Sequence, residues 1–238
     1  MTIRPWSASA ALAAACLLAS SAWAHFVWVE TEPAGEQLLI RSGFGEPGGP
    51  GAWDGPLAEK IKNTKYWTRS ASGVKPVELP LDAKHEEYRA AVSGPRPSAV
   101  LGQCDYGVIQ RGDKPAFWLR YSAKNLVGSP SAWQDDKPSS EVRAEVCAKL
   151  TKGEVLLTVY HLGKPAPKAT IKATLPDTDT VELVTDDQGQ ARWKLAGPGR
   201  YGLYVSHTLE QSGEKAGKAY ASQKDYATLT FSLQAADL

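Results

Sequence analysis

Apolar and polar residues alternate along most of this chain with a period of two, in short runs broken by Gly and Pro. That is the texture of an all-β protein. The clearest runs lie in the second half. Glu154–Tyr160 (EVLLTVY) would turn Val155, Leu157 and Val159 to one face. Ala169–Leu175, Thr180–Thr185, Gln190–Leu195, Arg200–His207 and Tyr226–Leu233 continue the pattern. Gly163-Lys164-Pro165, Asp186-Asp187-Gln188-Gly189 and Gly197-Pro198-Gly199 supply the turns. Strands at this spacing predict an immunoglobulin-like β-sandwich over 151–238.

The first half reads less regularly. His25–Val29, Gln37–Arg41, Tyr66–Ser70, Glu87–Val92, Asp105–Ile109 and Ala116–Ala123 are strand candidates. Ser42–Pro56 (SGFGEPGGPGAWDGP) predicts an irregular loop with Trp53 at its tip. Leu57–Asn63 and Ser140–Ala148 are the two stretches that predict short helices. The expected architecture is a two-part β-sandwich protein, with a β-rich part over 25–150 and the immunoglobulin-like part after it. Trp28, Trp67, Trp118 and Trp193 are expected in the core.

Ahead of this lies a different kind of segment. Met1–Ala24 carry one charge, Arg4, then the apolar run Ala10–Ala19 and small residues at Ala22 and Ala24. This is the layout of a cleavable signal peptide with cleavage between Ala24 and His25, and it implies a periplasmic or secreted protein. No later segment approaches the ~20 apolar residues of a spanning helix, so no membrane span is expected after cleavage. The remainder holds 26 basic and 26 acidic residues. That balance argues against a nucleic-acid partner. Two cysteines remain, Cys104 and Cys147. In an oxidising compartment they predict a disulfide, contributing roughly 4 kcal/mol if geometry permits. The sole Met is Met1, which excludes Met-rich copper(I) handling.

The candidate chemistry is sparse. No helix-borne zinc motif, nucleophile elbow, Walker loop or dinucleotide fingerprint occurs. Ser206 and His207 are adjacent on a strand and point to opposite faces, which argues against a Ser–His nucleophile. No catalytic residue is assigned. Cleavage before His25 would, however, place a free α-amine beside an imidazole Nδ1, a bidentate chelate for Ni(II), Co(II), Cu(II) or Zn(II). His207, at a strand end, is the preferred second ligand and His161 a weaker one. Asp225 and Glu30 are possible carboxylate ligands, but surface charge is the commoner explanation for both, and His85 reads as solvated.

Ala24-His25-Phe26-Val27-Trp28-Val29-Glu30, Gly163-Lys164-Pro165, Thr185-Asp186-Asp187-Gln188-Gly189, Gly199-Arg200-Tyr201, Val205-Ser206-His207 and Tyr226-Ala227-Thr228-Leu229-Thr230-Phe231 together resemble the exported domain-of-unknown-function family numbered 4198. The resemblance implies an immunoglobulin-like periplasmic protein associated with nickel or cobalt uptake, which captures the metal for a membrane transporter. Two other classes stay open: a metal-free envelope interaction module, and a copper oxidase built on a histidine brace.

Overall fold

A computed structural model describes residues 25–45, 55–133, 135–174 and 180–238. The segment expected to be a signal peptide, Trp53 and most of the Gly/Pro-rich stretch lie outside them. In chain order the first strands are β1 (Phe26–Ala34), β2 (Gln37–Gly45), β3 (Lys65–Ser70), β4 (Gly73–Val77), β5 (Leu81–Asp82), β6 (Glu87–Val92), β7 (Ala99–Ile109) and β8 (Phe117–Leu126). There follow β9 (Ala144–Thr151), β10 (Glu154–His161), β11 (Lys164–Pro165), β12 (Thr170–Thr174), β13 (Thr180–Val184) and β14 (Gln190–Lys194). The last are β15 (Gly199–Leu209), β16 (Gly213–Lys215), β17 (Lys218–Tyr220) and β18 (Ser222–Leu233). The protein is all-β, with its sheets in a sandwich-like arrangement, as the alternation predicts. No helix among the described residues is long and apolar enough to cross a membrane.

An eight-stranded sheet in the order β13-β12-β15-β18-β8-β7-β3-β4 runs through the middle. Its pairings are antiparallel except where β18 lies parallel to β8, with Tyr226 opposite Tyr121. Strands from both sides of residue 150 therefore share one sheet, and the position itself falls inside the β9–β10 hairpin.

Side-chain alternation gives this sheet two faces. Leu119, Tyr121 and Ala123 of β8 join a core with Phe26–Val29, Ile40 and Phe44 from the four-stranded sheet β1-β2-β6-β5. Leu126 of β8, Leu203 and Val205 of β15, and Leu229 and Phe231 of β18 pack instead with Val155, Leu157 and Val159 of β10. The second core is centred on Trp193, Tyr201 and Phe231, with ring centroids 5.1–6.4 Å apart. Strand β1 lies across the first face. Thr228 and Thr230 donate their hydroxyls to the Val27 and Val29 carbonyls at 2.8 and 2.7 Å.

Several local expectations change. Ser42–Gly45 extend β2, because Phe44 is buried against Tyr106 and Tyr121. Gly55–Ile61 form a 3-10 helix. The helix predicted over Ser140–Ala148 is replaced by β9: Ala144, Val146 and Ala148 enter the core while Glu145 and Cys147 turn to a charged cluster. Trp28 and Trp193 are core residues, whereas Trp67 and Trp118 are only half-buried. At the Asp186–Gly189 turn, Gly189 takes φ +73°, and a Cβ there would meet the Ala166 backbone nitrogen at 2.8 Å.

Candidate functional site

His25 immediately precedes β1, where the next five residues are all buried. Its ring is half-buried and stacks on Phe44 with centroids 5.7 Å apart. Its carbonyl accepts a hydrogen bond from the Tyr121 hydroxyl at 3.4 Å. Phe26, next in line, packs on Tyr204 and Tyr226. His25 thus sits at the rim of an aromatic cluster on the β1 face of the large sheet.

His207 does not join it. Like Leu203 and Val205 on the same strand, His207 points to the β10 face, where its ring lies parallel to that of His161. The centroids are 4.7 Å apart and the planes 8° from parallel. Imidazole lone pairs lie in the ring plane, so two parallel rings cannot aim at one ion. The sheet separates the pair from His25, and a shared His25–His207 centre does not form.

Asp225 organises this second group. It lies opposite His207 across the β15–β18 ladder and accepts from His161 Nε2 at 2.8 Å. Arg120 donates to both its oxygens, at 2.6 and 3.2 Å, and Arg143 approaches at 3.4 Å. Burial works to raise the Asp225 pKa, but the His161 and Arg120 hydrogen bonds and the two guanidinium charges prevail and lower it. Burial, reinforced by neighbouring His161, pushes His207 down to about 4 against the opposing pull of Asp225. His207 is therefore neutral at pH 7, and its buried Nε2 has no hydrogen-bond partner among the described residues. Asp225 and Glu30 are not surface charges: both are buried, and Glu30 is ion-paired with Arg200. His85 is exposed and bonded to Asp82.

The predicted disulfide is absent: Cys104 and Cys147 are free and buried. Cys104 lies opposite Tyr121 and shares its face, in the core built around β1. Cys147 lies 3.8 Å from Lys124 Nζ, on the other face of β8, so the central sheet stands between the sulfurs. Burial pushes Cys104 up to about 11 and Cys147 up to about 12.

Around Cys147 lies a charged group that the alternation pattern does not predict. Lys124, on β8, is buried with Nζ 2.8 and 2.9 Å from the two Asp135 oxygens and 2.9 Å from Glu145 Oε1. Arg69 reaches the same Glu145 oxygen at 2.5 Å and Asp135 Oδ1 at 3.3 Å. Two cations and two anions balance, which is how such a cluster tolerates burial. In the sequence Lys124 shares the polar positions of the alternating run Leu119–Val127 with Arg120 and Ser122, a face that reads as solvent-exposed.

No protein-family model matches the chain, and no curated protein matches it. Among solved structures, one neighbour comes from work on host cell surface retention of a 1.5-MDa bacterial ice-binding adhesin. It is 11% identical with a TM-score of 0.21, over 89% of this chain and 66% of that one, and so carries no functional argument.

Proposed function

We propose that this is an exported protein that binds one transition-metal ion at His25, through the α-amine freed by cleavage after Ala24 and the ring Nδ1, for hand-over to a membrane uptake transporter. The observation that carries the reading is the seating of His25. Its carbonyl is held by Tyr121, its ring rests on Phe44, and the buried strand β1 begins at the next residue. A chelate formed there would stand on a rigid base. Ni(II) or Co(II) is the preference implied by the family resemblance, with Cu(II) and Zn(II) as further options for an amine–imidazole pair. With His207 and His161 on the opposite face, the remaining positions fall to water or other donors, which suits transfer more than storage.

Mass spectrometry of the mature N-terminus, followed by calorimetric titration with the four ions, tests this. Binding lost in His25→Ala, and in a variant with one extra residue ahead of His25, is the expected result. A mature start elsewhere, or unchanged affinity in both variants, overturns it.

A second reading is a metal-free envelope interaction module. It draws on half-buried Trp118, flanked by Arg120 at 4.0 Å, Lys215 at 4.8 Å and Tyr220 at 5.6 Å. Partner binding that persists in chelator and falls in Trp118→Ala would favour it. The copper-oxidase reading needs a second imidazole on the His25 ion, the place His207 was expected to fill.

A further inference from the structure

The Lys124 cluster has the parts of a condensation site. Nζ is nearly equidistant from the two oxygens of Asp135, at 2.8 and 2.9 Å, a bidentate contact that keeps the amine close to the carboxyl carbon. Asp135 Oδ2 also accepts the Ala148 backbone N–H at 2.8 Å, a fixed donor for charge developing on that oxygen. Oδ1, the other oxygen, lies 3.3 Å from Arg69 NH1. Glu145 Oε1 touches the amine at 2.9 Å and is itself held by Arg69 and, through Oε2, by the Ser139 N–H at 2.6 Å. A cleft of about 300 Å³, lined in part by Arg69, Asp136 and Ser139, lies beside the cluster and offers a small molecule a way out.

We propose that Lys124 and Asp135 condense within the folded chain to an isopeptide bond, with Glu145 as the proton relay. The ammonium passes a proton through Glu145 to Asp135 Oδ1, and the free amine attacks Cγ of the resulting carboxylic acid. The N–C bond forms, Oδ2 carries the transient negative charge against the Ala148 N–H, and the Cγ–Oδ1 bond breaks. Two protons from Nζ leave on Oδ1 as one water. Nothing is oxidised or reduced, and no co-reactant is needed. The product is a neutral amide, and Arg69 with Glu145 remains a balanced pair.

Before condensation the site is an ion pair. Burial disfavours the Lys124 ammonium, but Asp135 and Glu145 outweigh it and raise its pKa. Amide formation then removes two buried charges, and such charges are costly to keep out of water.

The test is a mass measurement on the full chain as expressed and folded. After denaturation and tryptic digestion, Tyr121–Arg143 is expected to survive uncut after Lys124, lighter than its sequence by one water; Lys137 precedes Pro138 and so resists trypsin in either case. Fragmentation should place the link between Lys124 and Asp135. Lys124→Arg, Asp135→Ala and Glu145→Gln should each retain the water, while Asp135→Asn should form the same link with loss of ammonia. A wild-type peptide of full sequence mass, cleaved after Lys124, overturns the proposal and leaves an ion-pair network only. The wild-type measurement decides the matter even if a variant fails to fold.

Discussion

The imidazoles of His161 and His207 stack face to face at 4.7 Å, one bonded to Asp225 and the other with a buried Nε2 that has no hydrogen-bond partner among the described residues. This arrangement stores a response to acid. The groups facing His207 are His161 from β10 and Asp225 from β18, with Arg120 of β8 and Arg143 ahead of β9 held on the same carboxylate. Folding lowers the His207 pKa from 6.5 to about 4, so the unfolded chain takes up a proton that the folded chain refuses. The stability contributed is complete above the unfolded value and is lost as pH falls towards about 4. Urea midpoints measured across that window should decline with acid, and His207→Gln should flatten the decline. An unchanged slope in the variant would assign it elsewhere.

Asp225 compensates Arg120 in a site where both are buried. Asp225→Asn keeps the shape but leaves a buried guanidinium without its counter-charge. Removing one partner of such a pair costs about 3–5 kcal/mol. Chemical denaturation should show a loss of that order, whereas a change under about 1 kcal/mol would mean that water reaches Arg120.

Thr230 accepts from the Asn125 amide at 2.8 Å and donates to Val29 at 2.7 Å. Thr230→Val preserves volume and orphans a buried carbonyl on β1. A cost of about 1–3 kcal/mol is expected. Faster hydrogen exchange confined to β1 and β2 would identify that contact as the source, and uniform acceleration would not.

The cysteines should behave as two independent, inert thiols. With pKa values pushed up to about 11 and about 12, neither presents a useful thiolate fraction at pH 8. Alkylation of native protein should be negligible, and denaturation without reductant should expose both Cys104 and Cys147 to labelling. Protection that only a reductant removes would instead signal a disulfide.

How legible was this in the sequence? Strands β10, β14 and β18 were, because one face of each meets apolar side chains and the period of two survives in the residues. β9 was not. Its first five residues, Ala144–Ala148, are all buried, yet Glu145 and Cys147 serve a polar cluster, and Ala, Glu and Lys together imitate a helix. Composition likewise hid the cysteines' separation, since an even count carries no information about opposite faces of a sheet. His161 and His207 could be named individually as candidates. Their stacking depends on the β10 layer lying over β15, a relation between sheets that no local pattern encodes. Lys124 left the faintest trace, because a lysine in a strand ordinarily faces water.

The parallel seam between β8 and β18 governs the order in which the fold can be completed. Strand β8 is finished at residue 126 and β18 only at residue 233, yet each forms a long edge of the other. While the chain is emerging, β8 has one flank open, ready to pair with whatever extended segment arrives first. The last strand is thus the keystone of the largest sheet. A polypeptide halted shortly before Ser222 would hold most of the apolar residues of both cores and still lack the piece that joins them. Interrupted synthesis or trimming at that end should therefore produce a sticky, self-associating species rather than a smaller stable one.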